Sequence, residues 1–148
     1  TGREIARAYP DIQFNDIIVD NCAMQLVRDP SRFDVIVTTN LFGDILSDQI
    51  SGLVGGLGLA PGANIGLHGA IFEAVHGTAP DIAGKNVANP GALVLAGCML
   101  LEHLGEGERG LRVRRALETV IREGKSITRD LGGAASTDEF TDAIIAKL

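Results

Sequence analysis

The sequence has few cysteines, no cluster of basic residues and no long apolar segment. Cys22 and Cys98 lie far apart, and neither belongs to a CxxC or Cys/His spacing that is typical of metal ligands. Two reduced thiols and a cytoplasmic location are therefore expected. Without a Lys/Arg cluster, and with a formal net charge of −6, the chain is not expected to bind nucleic acid.

No apolar run approaches the length that crosses a bilayer, and the N-terminal residues lack the apolar core of a signal peptide. A membrane is therefore not an expected partner. The sequence also begins without methionine, so we expect Thr1 to be an interior position of a longer gene product. The 148 residues, of which 45% are hydrophobic, have the composition of an ordinary globular protein.

Hydrophobic patterning alternates between the periods of strands and helices, which predicts an α/β fold. The dense glycines between residues 55 and 66 argue against a regular element there, so a domain boundary is placed between residues 54 and 55. Asn89 before Pro90 predicts a helix N-cap, and Ser136 with Glu139 predicts a capping box. The predicted strands cover residues 12–19, 33–39 and 70–75, and the predicted helices cover 3–9, 21–28, 41–54, 90–104, 108–123 and 137–147.

Asp44 and Asp48 lie one helical turn apart, so their carboxylates project from the same face of the predicted helix. Like charges at this spacing destabilise an isolated helix by roughly 0.2–0.5 kcal/mol, a cost that a bound cation removes. Mg²⁺ and Mn²⁺ prefer such oxygen ligands. Acidic pairs on exposed helix faces are also common without any ligand, and the spacing alone leaves both interpretations open.

Two further segments invite a ligand-binding interpretation. Gly56-Leu57-Gly58 resembles part of a dinucleotide fingerprint, but a predicted helix precedes it and Pro61 follows, whereas a Rossmann turn follows a strand and opens a helix. A Rossmann fold is therefore rejected. The loop 76–89 lies between a predicted strand and a helix N-terminus, where α/β proteins often bind ligands. The residues alone predict a binding loop without naming its ligand.

Three segments taken together resemble the isocitrate and isopropylmalate dehydrogenase family. They read NLFGDILSD (40–48), GGLGLAPGANIG (55–66) and FEAVHGTAPDIAGK (72–85). The segments 89–90 and 130–133 also occur where that family has them, so the resemblance covers nearly the whole chain. It implies the C-terminal part of a two-domain α/β fold, with residues 1–54 in the small, dimerising domain and residues 55–148 in the large, cofactor-binding domain.

The resemblance implies a site for Mg²⁺ or Mn²⁺ on Asp20, Asp44 and Asp48. Two of these aspartates share one helix, and the third is contributed across the interface of a homodimer. In that family the metal chelates a 2-hydroxy acid substrate and stabilises the enolate that is left when CO₂ departs.

The resemblance also implies NAD as cofactor. Asp81 favours NAD because a carboxylate accepts hydrogen bonds from both ribose hydroxyls and repels the 2′-phosphate of NADP. NADP-using relatives have a basic residue and a tyrosine where this chain has Asp81 and Ile82. The residues that the resemblance places around NAD are Gly58, Glu73, His76, Gly77, Ala79, Asp81, Ile82, Asn89 and Asp130.

The implied reaction is the oxidative decarboxylation of isocitrate to 2-oxoglutarate and CO₂. Residues 72–78 (FEAVHGT) and 125–133 look like NAD-linked isocitrate enzymes, whereas isopropylmalate and homoisocitrate enzymes tend to have EPVHGS. Those two substrates remain alternatives, as do a non-catalytic regulatory subunit and a plain interaction fragment. The presence of all three aspartates favours a catalytic chain. No catalytic residue is assigned, because the family's N-terminal portion supplies them. The chain is expected to need that portion and to be inactive alone.

Overall fold

A computed structural model describes all residues from 1 to 148. The chain divides into two compact units, Thr1–Gln49 and Ile50–Leu148, and the division falls inside the third α-helix. The structure contains no helix that is both long and apolar enough to cross a membrane.

The first unit contains α1 (Gly2–Ala6), α2 (Val19–Arg28), a 3₁₀ turn (Pro30–Arg32) and most of α3 (Asn40–Leu53). Asp20 stands in the first turn of α2 and Arg28 in its last, which suits the helix dipole at both ends. The amide of Gln49 in α3 donates a hydrogen bond of 2.8 Å to the carbonyl oxygen of Ala23 in α2. The buried side chains of this unit are Cys22, Leu26 and Leu46.

The strand predictions for residues 12–19 and 33–39 are wrong. Both segments are irregular, and α2 already begins at Val19. Most of their apolar side chains are exposed to solvent, Val35 by 80% and Val37 by 93%. A strand is stable only when a neighbouring strand satisfies its backbone N–H and C=O groups, and the sheet of this structure has two strands that both lie elsewhere. A run of apolar and β-branched residues is therefore not sufficient to form a strand in these two segments.

The second unit contains a β-hairpin of β1 (Pro61–Ile65) and β2 (Ala70–Ala74), paired antiparallel with Ala63 opposite Phe72. The prediction of strand 70–75 is confirmed, apart from its last residue. The expectation of no regular element between residues 55 and 66 is wrong, since this segment holds a 3₁₀ turn (Leu57–Leu59) and β1. Pairing with β2 outweighs the poor strand propensity of glycine.

Three helices complete this unit: α4 (Gly91–His103), α5 (Gly107–Glu123) and α6 (Thr137–Ile145). The capping box of Ser136 and Glu139 at the start of α6 is confirmed. The predicted N-cap of α4 is one residue too early, since the helix begins at Gly91 with Pro90 as its N-cap. Asn89 Oδ1 nevertheless accepts a hydrogen bond of 2.8 Å from the N–H of Gly91. The 3₁₀ turns Pro80–Ile82 and Arg129–Leu131 lie in the connections.

The core of the second unit lies between α5 and α6. Phe140 and Leu117 are almost fully buried there, and α4 packs against α5 and both strands of the hairpin. Gly110 permits the close approach of α5 to α4, since a Cβ on it would lie 2.9 Å from the carbonyl oxygen of Cys98. The core cluster consists of Ala116, Leu117, Val120, Ile127, Phe140 and Ile144.

Candidate functional site

The three aspartates predicted as metal ligands all lie in the first unit and are exposed. Asp44 and Asp48 stand four residues apart in α3, and Asp20 lies in the first turn of α2. Asp20 Oδ1 accepts a hydrogen bond of 2.6 Å from the backbone N–H of Asn21. The structure gathers no group of three or more His, Cys, Asp or Glu side chains that could hold a metal ion. A complete three-aspartate site is thus not formed within one chain.

The pair in α3 nevertheless has suitable chemistry for a divalent cation. Both carboxylates are exposed, neither takes part in an ion pair, and both lie on one helical face. Mg²⁺ is usually held by one or two carboxylates, while water and substrate oxygens occupy its other positions. Asp44 and Asp48 therefore fit a cation whose remaining ligands come from outside this chain.

Three of the residues predicted to bind the cofactor meet in the second unit. Asn89 Nδ2 donates a hydrogen bond of 2.8 Å to Asp130 Oδ2, across 41 positions of sequence. The backbone of Gly58 passes beside both: a Cβ on this residue would lie 2.9 Å from Asp130 Oδ2 and 3.0 Å from Asn89 Nδ2. Any side chain at Gly58 would displace this pair, so glycine is required by the packing.

The tight approach extends to the start of α4. A Cβ on Gly91 would lie 2.8 Å from Leu59 Cδ2 and 3.1 Å from the carbonyl oxygen of Gly58. The 3₁₀ turn Leu57–Leu59 is therefore seated against the N-terminus of α4, with Asn89 between them. Sequence analysis did not single out Gly91, and its position directly after Asn-Pro in a capping sequence was the signal available.

Glu73 and His76 occupy the end of β2 and the residues after it. Glu73 is exposed, and its Oε1 accepts a hydrogen bond of 3.0 Å from Asn64 Nδ2 on the paired strand. His76 is exposed, and its Nδ1 lies 3.0 Å from the carbonyl oxygen of Gly77. Both side chains present polar atoms to solvent at the beginning of the loop 76–89.

The middle of this loop is a turn around Asp81. Ala79 adopts a left-handed conformation with φ 42°, and the 3₁₀ turn Pro80–Ile82 follows it. The N–H of Ile82 donates to the carbonyl oxygen of Ala79 at 3.0 Å. Asp81 is exposed and has no ion-pair partner, so its oxygens are free to accept hydrogen bonds from a ligand. This acceptor set fits the two hydroxyls of a ribose.

The residues that hold the end of this loop were not predicted from the sequence. Asn86 has a positive φ of 55° and forms hydrogen bonds with Thr137 and Asp138 at the start of α6. In the adjoining capping box, the backbone N–H of Ser136 lowers the pKa of Glu139 by hydrogen bonding to its carboxylate, and the Ser136 hydroxyl adds a smaller effect in the same direction. An asparagine in a loop with glycine close by was the available signal, because Asn adopts left-handed conformations more readily than most residues.

Comparison with known proteins agrees with this architecture. The family model described as isocitrate/isopropylmalate dehydrogenase matches residues 1–144. An isocitrate/homoisocitrate dehydrogenase of Thermus thermophilus is 58% identical over 148 residues, covering 100% of this chain and 44% of the relative. A 3-isopropylmalate dehydrogenase of Archaeoglobus fulgidus is 57% identical over 146 residues, covering 99% and 44%. An isocitrate dehydrogenase [NAD] subunit alpha, mitochondrial, of Homo sapiens is 51% identical over 147 residues, covering 99% and 40%.

The fold is also found in a solved structure. The crystal structure of isocitrate dehydrogenase from Methylococcus capsulatus superposes with a TM-score of 0.95 at 56% identity, covering 99% of this chain and 44% of that one. The chain therefore belongs to the isocitrate/isopropylmalate dehydrogenase family, as its motifs predicted. Its mixed α/β architecture matches that of the family's solved members. It spans less than half of the length of these relatives.

Proposed function

We propose that this chain is part of an NAD-dependent enzyme that oxidises and decarboxylates isocitrate to 2-oxoglutarate and CO₂. The observation that carries the proposal is the site in the second unit, where an unpaired Asp81 carboxylate follows the predicted cofactor contacts at the end of β2. The human relative is named as an NAD isocitrate dehydrogenase subunit, which supports the same cofactor.

Asp81 is proposed to select NAD over NADP. Its carboxylate would accept hydrogen bonds from the 2′- and 3′-hydroxyls of the adenosine ribose, and would repel a 2′-phosphate at the same position. Gly58, Asn89 and Asp130 would form a second part of the cofactor site, since their mutual contacts fix the 3₁₀ turn Leu57–Leu59 against α4. These residues bind and orient the cofactor rather than transfer protons.

Asp44 and Asp48 are proposed to hold a Mg²⁺ or Mn²⁺ ion, with Asp20 supplied by a second copy in a homodimer. The exposed pair on α3, together with the incomplete ligand set within one chain, supports this arrangement. Such an ion supplies Lewis-acid stabilisation of the negative charge that develops on the substrate oxygens.

Isocitrate is proposed as substrate on the basis of the FEAVHGT segment at residues 72–78. Overall identity does not discriminate, because the relatives named isocitrate/homoisocitrate and 3-isopropylmalate dehydrogenase are 58% and 57% identical. The proton-transferring groups are proposed to lie in a portion of the gene product outside these residues, so the 148-residue chain alone should be inactive.

The experiment is a steady-state assay of the complete gene product with isocitrate, homoisocitrate and 3-isopropylmalate, each with NAD or NADP. The expected result is the highest kcat/KM with isocitrate and NAD. This activity should be abolished by EDTA and restored by Mg²⁺.

Asp44→Asn should weaken Mg²⁺ activation at least about tenfold. Even the loss of a residue that only hydrogen-bonds to a metal ligand costs about 10–100-fold. Asp11→Asn, at another exposed aspartate of the same unit, is the matched control. Equal kcat/KM with NADP would refute the role of Asp81.

A further inference from the structure

The end of the loop 76–89 is joined to the start of α6 by four hydrogen bonds. Asn86 Nδ2 donates to Asp138 Oδ2 at 3.0 Å, and Asn86 Oδ1 accepts from the backbone N–H of Asp138 at 3.2 Å. The carbonyl oxygen of Asn86 accepts from the N–H of Thr137 at 3.0 Å. Thr137 Oγ1 donates to the carbonyl oxygen of Ala88 at 2.6 Å. A loop and a helix that are 52 positions apart in sequence are thereby docked together.

This docking uses the unpaired N–H groups of a helix start. The first N–H groups of an α-helix have no partner within the helix. In α6 the first two are taken by Asn86 and the third, that of Glu139, by the hydroxyl of Ser136. The first turn therefore has no spare donor for a ligand, and two of its donors hold the loop.

Asn86 is suited to this position by its backbone as well as its side chain. Its φ of 55° lies in the left-handed region, which asparagine enters more readily than most residues. The conformation lets its side-chain amide and its own carbonyl oxygen reach two successive N–H groups of α6. Asp138 also places an acidic side chain in the first turn, where the helix dipole favours it.

The part of the loop between Val75 and Asn86 forms no long-range hydrogen bond, whereas Asn89 at the far end of the loop is bonded to Asp130. Before this part, the N–H of Val75 donates to the carbonyl oxygen of Ala60 at 3.2 Å, which continues the hairpin. Between Val75 and Asn86, the hydrogen bonds of the loop are local ones, such as that from the N–H of Lys85 to the carbonyl oxygen of Ile82. The position of Asp81 is consequently set by two fixed ends, one at the hairpin and one at Asn86.

We propose that Asn86 is a positioning residue for NAD, which fixes the cofactor loop on the start of α6 through Asp138. This inference rests on the proposed function, since it assigns a role in the same site. Asn86 acts through the loop, so its removal should weaken NAD binding by allowing the loop more conformations. It should leave the turnover of the bound complex and the affinity for the 2-hydroxy acid unchanged.

The test compares variants of the complete gene product. Asn86→Gly keeps the left-handed backbone and deletes both side-chain hydrogen bonds; Asp138→Ala deletes one of them from the other side. Asp138→Asn retains an oxygen acceptor for Asn86 Nδ2 and should rescue. Asp142→Ala, at an exposed aspartate of α6 outside this contact, is the matched control. For each variant, calorimetry measures the dissociation constant of NAD, and steady-state kinetics measure kcat and the KM values for NAD and isocitrate. Hydrogen exchange of amides 77–85 reports the mobility of the loop.

Loss of two hydrogen bonds predicts an NAD dissociation constant and KM raised about tenfold in Asn86→Gly. kcat and the KM for isocitrate should stay within twofold of wild type, and exchange of amides 77–85 without NAD should accelerate. If the wild type binds NAD and Asn86→Gly binds it with the same affinity, this inference alone is overturned. Equal losses in Asp142→Ala would overturn it as well. A wild-type protein that fails to bind NAD would refute the proposed function, and this inference with it.

Discussion

The two units of the chain bury their apolar side chains to very different extents. In the second unit, α5 and α6 enclose a core in which Phe140 and Leu117 have almost no contact with solvent. In the first unit, Val35 and Val37 are almost fully exposed although they lie in the most β-rich segment of the sequence. The first unit also relies on exposed contacts such as the Arg3–Asp16 ion pair, a kind that contributes little to stability.

The difference shows that apolar content alone does not produce a core. A helix satisfies its backbone groups internally, so α5 and α6 need only match apolar faces to become stable together. A strand must find another strand, and residues 33–39 find none in this structure. Since the chain spans less than half of the length of its relatives, we propose that the missing strand partners belong to the rest of the gene product.

The largest expected effect is on the core of the second unit. Phe140→Ala should lower the free energy of unfolding by about 3–5 kcal/mol, because it empties a fully buried site. Phe14→Ala, at a phenylalanine of the first unit that is 44% exposed, is the matched control and should cost far less. Urea unfolding of the complete gene product, followed by circular dichroism, measures both. Equal losses would remove the contrast between the two units.

The next effect tests whether residues 33–39 gain a partner in the complete gene product. Val37→Ala should then destabilise that protein by about 1.6 kcal/mol, as two buried CH₂ groups are worth about 0.8 kcal/mol each. Leu67→Ala, at a hairpin residue that is 97% exposed, serves as the control. Thermal unfolding reports the change. If Val37→Ala and Leu67→Ala change the melting temperature equally little, residues 33–39 are irregular in the complete protein too.

A smaller effect is expected at the capping box of α6. Ser136→Ala should cost about 1 kcal/mol, a usual value for loss of an N-cap side chain. Because hydrogen bonding from Ser136 lowers the pKa of Glu139, the stabilisation by Glu139 is present above its ordinary pKa and is lost as the pH falls through the lowered value. The free energy of unfolding of the wild type should therefore fall more steeply in acid than that of Glu139→Gln. Denaturant unfolding at a series of pH values from neutral into the acid range measures both. Parallel pH profiles would contradict this.

The smallest effect concerns the two buried thiols, one in each unit. Burial raises the pKa of Cys98, which keeps this thiol protonated and unreactive at neutral pH. Cys22 is equally buried but belongs to the unit with the small core, which we expect to open more often. Alkylation by iodoacetamide, followed by peptide mass spectrometry, should label Cys22 several-fold faster than Cys98. The reverse order would show that the second unit opens first.

Sequence analysis succeeded where a structure depends on neighbours in the chain. The helix at Asp44 and Asp48 follows from apolar residues three and four positions apart, and the capping box joins residues three positions apart. It failed for residues 33–39, whose strand pattern needed a partner that no local signal reports. The segment 55–66 was predicted to be irregular because of its glycines. This prediction failed because β1 forms through pairing with β2, which the glycine pattern does not report.

Short motifs and helical periodicity predicted the family, most of the helices, the capping box of α6 and the residues that are candidates for binding metal and cofactor. Which of those residues meet depends on the tertiary structure. It joined Asn89 to Asp130 and enclosed Gly58 between them, and it docked Asn86 on Asp138. It left Asp20 outside any cluster with Asp44 and Asp48. Contacts between residues 41 and 52 positions apart depend on how helices and turns pack, which no local pattern encodes.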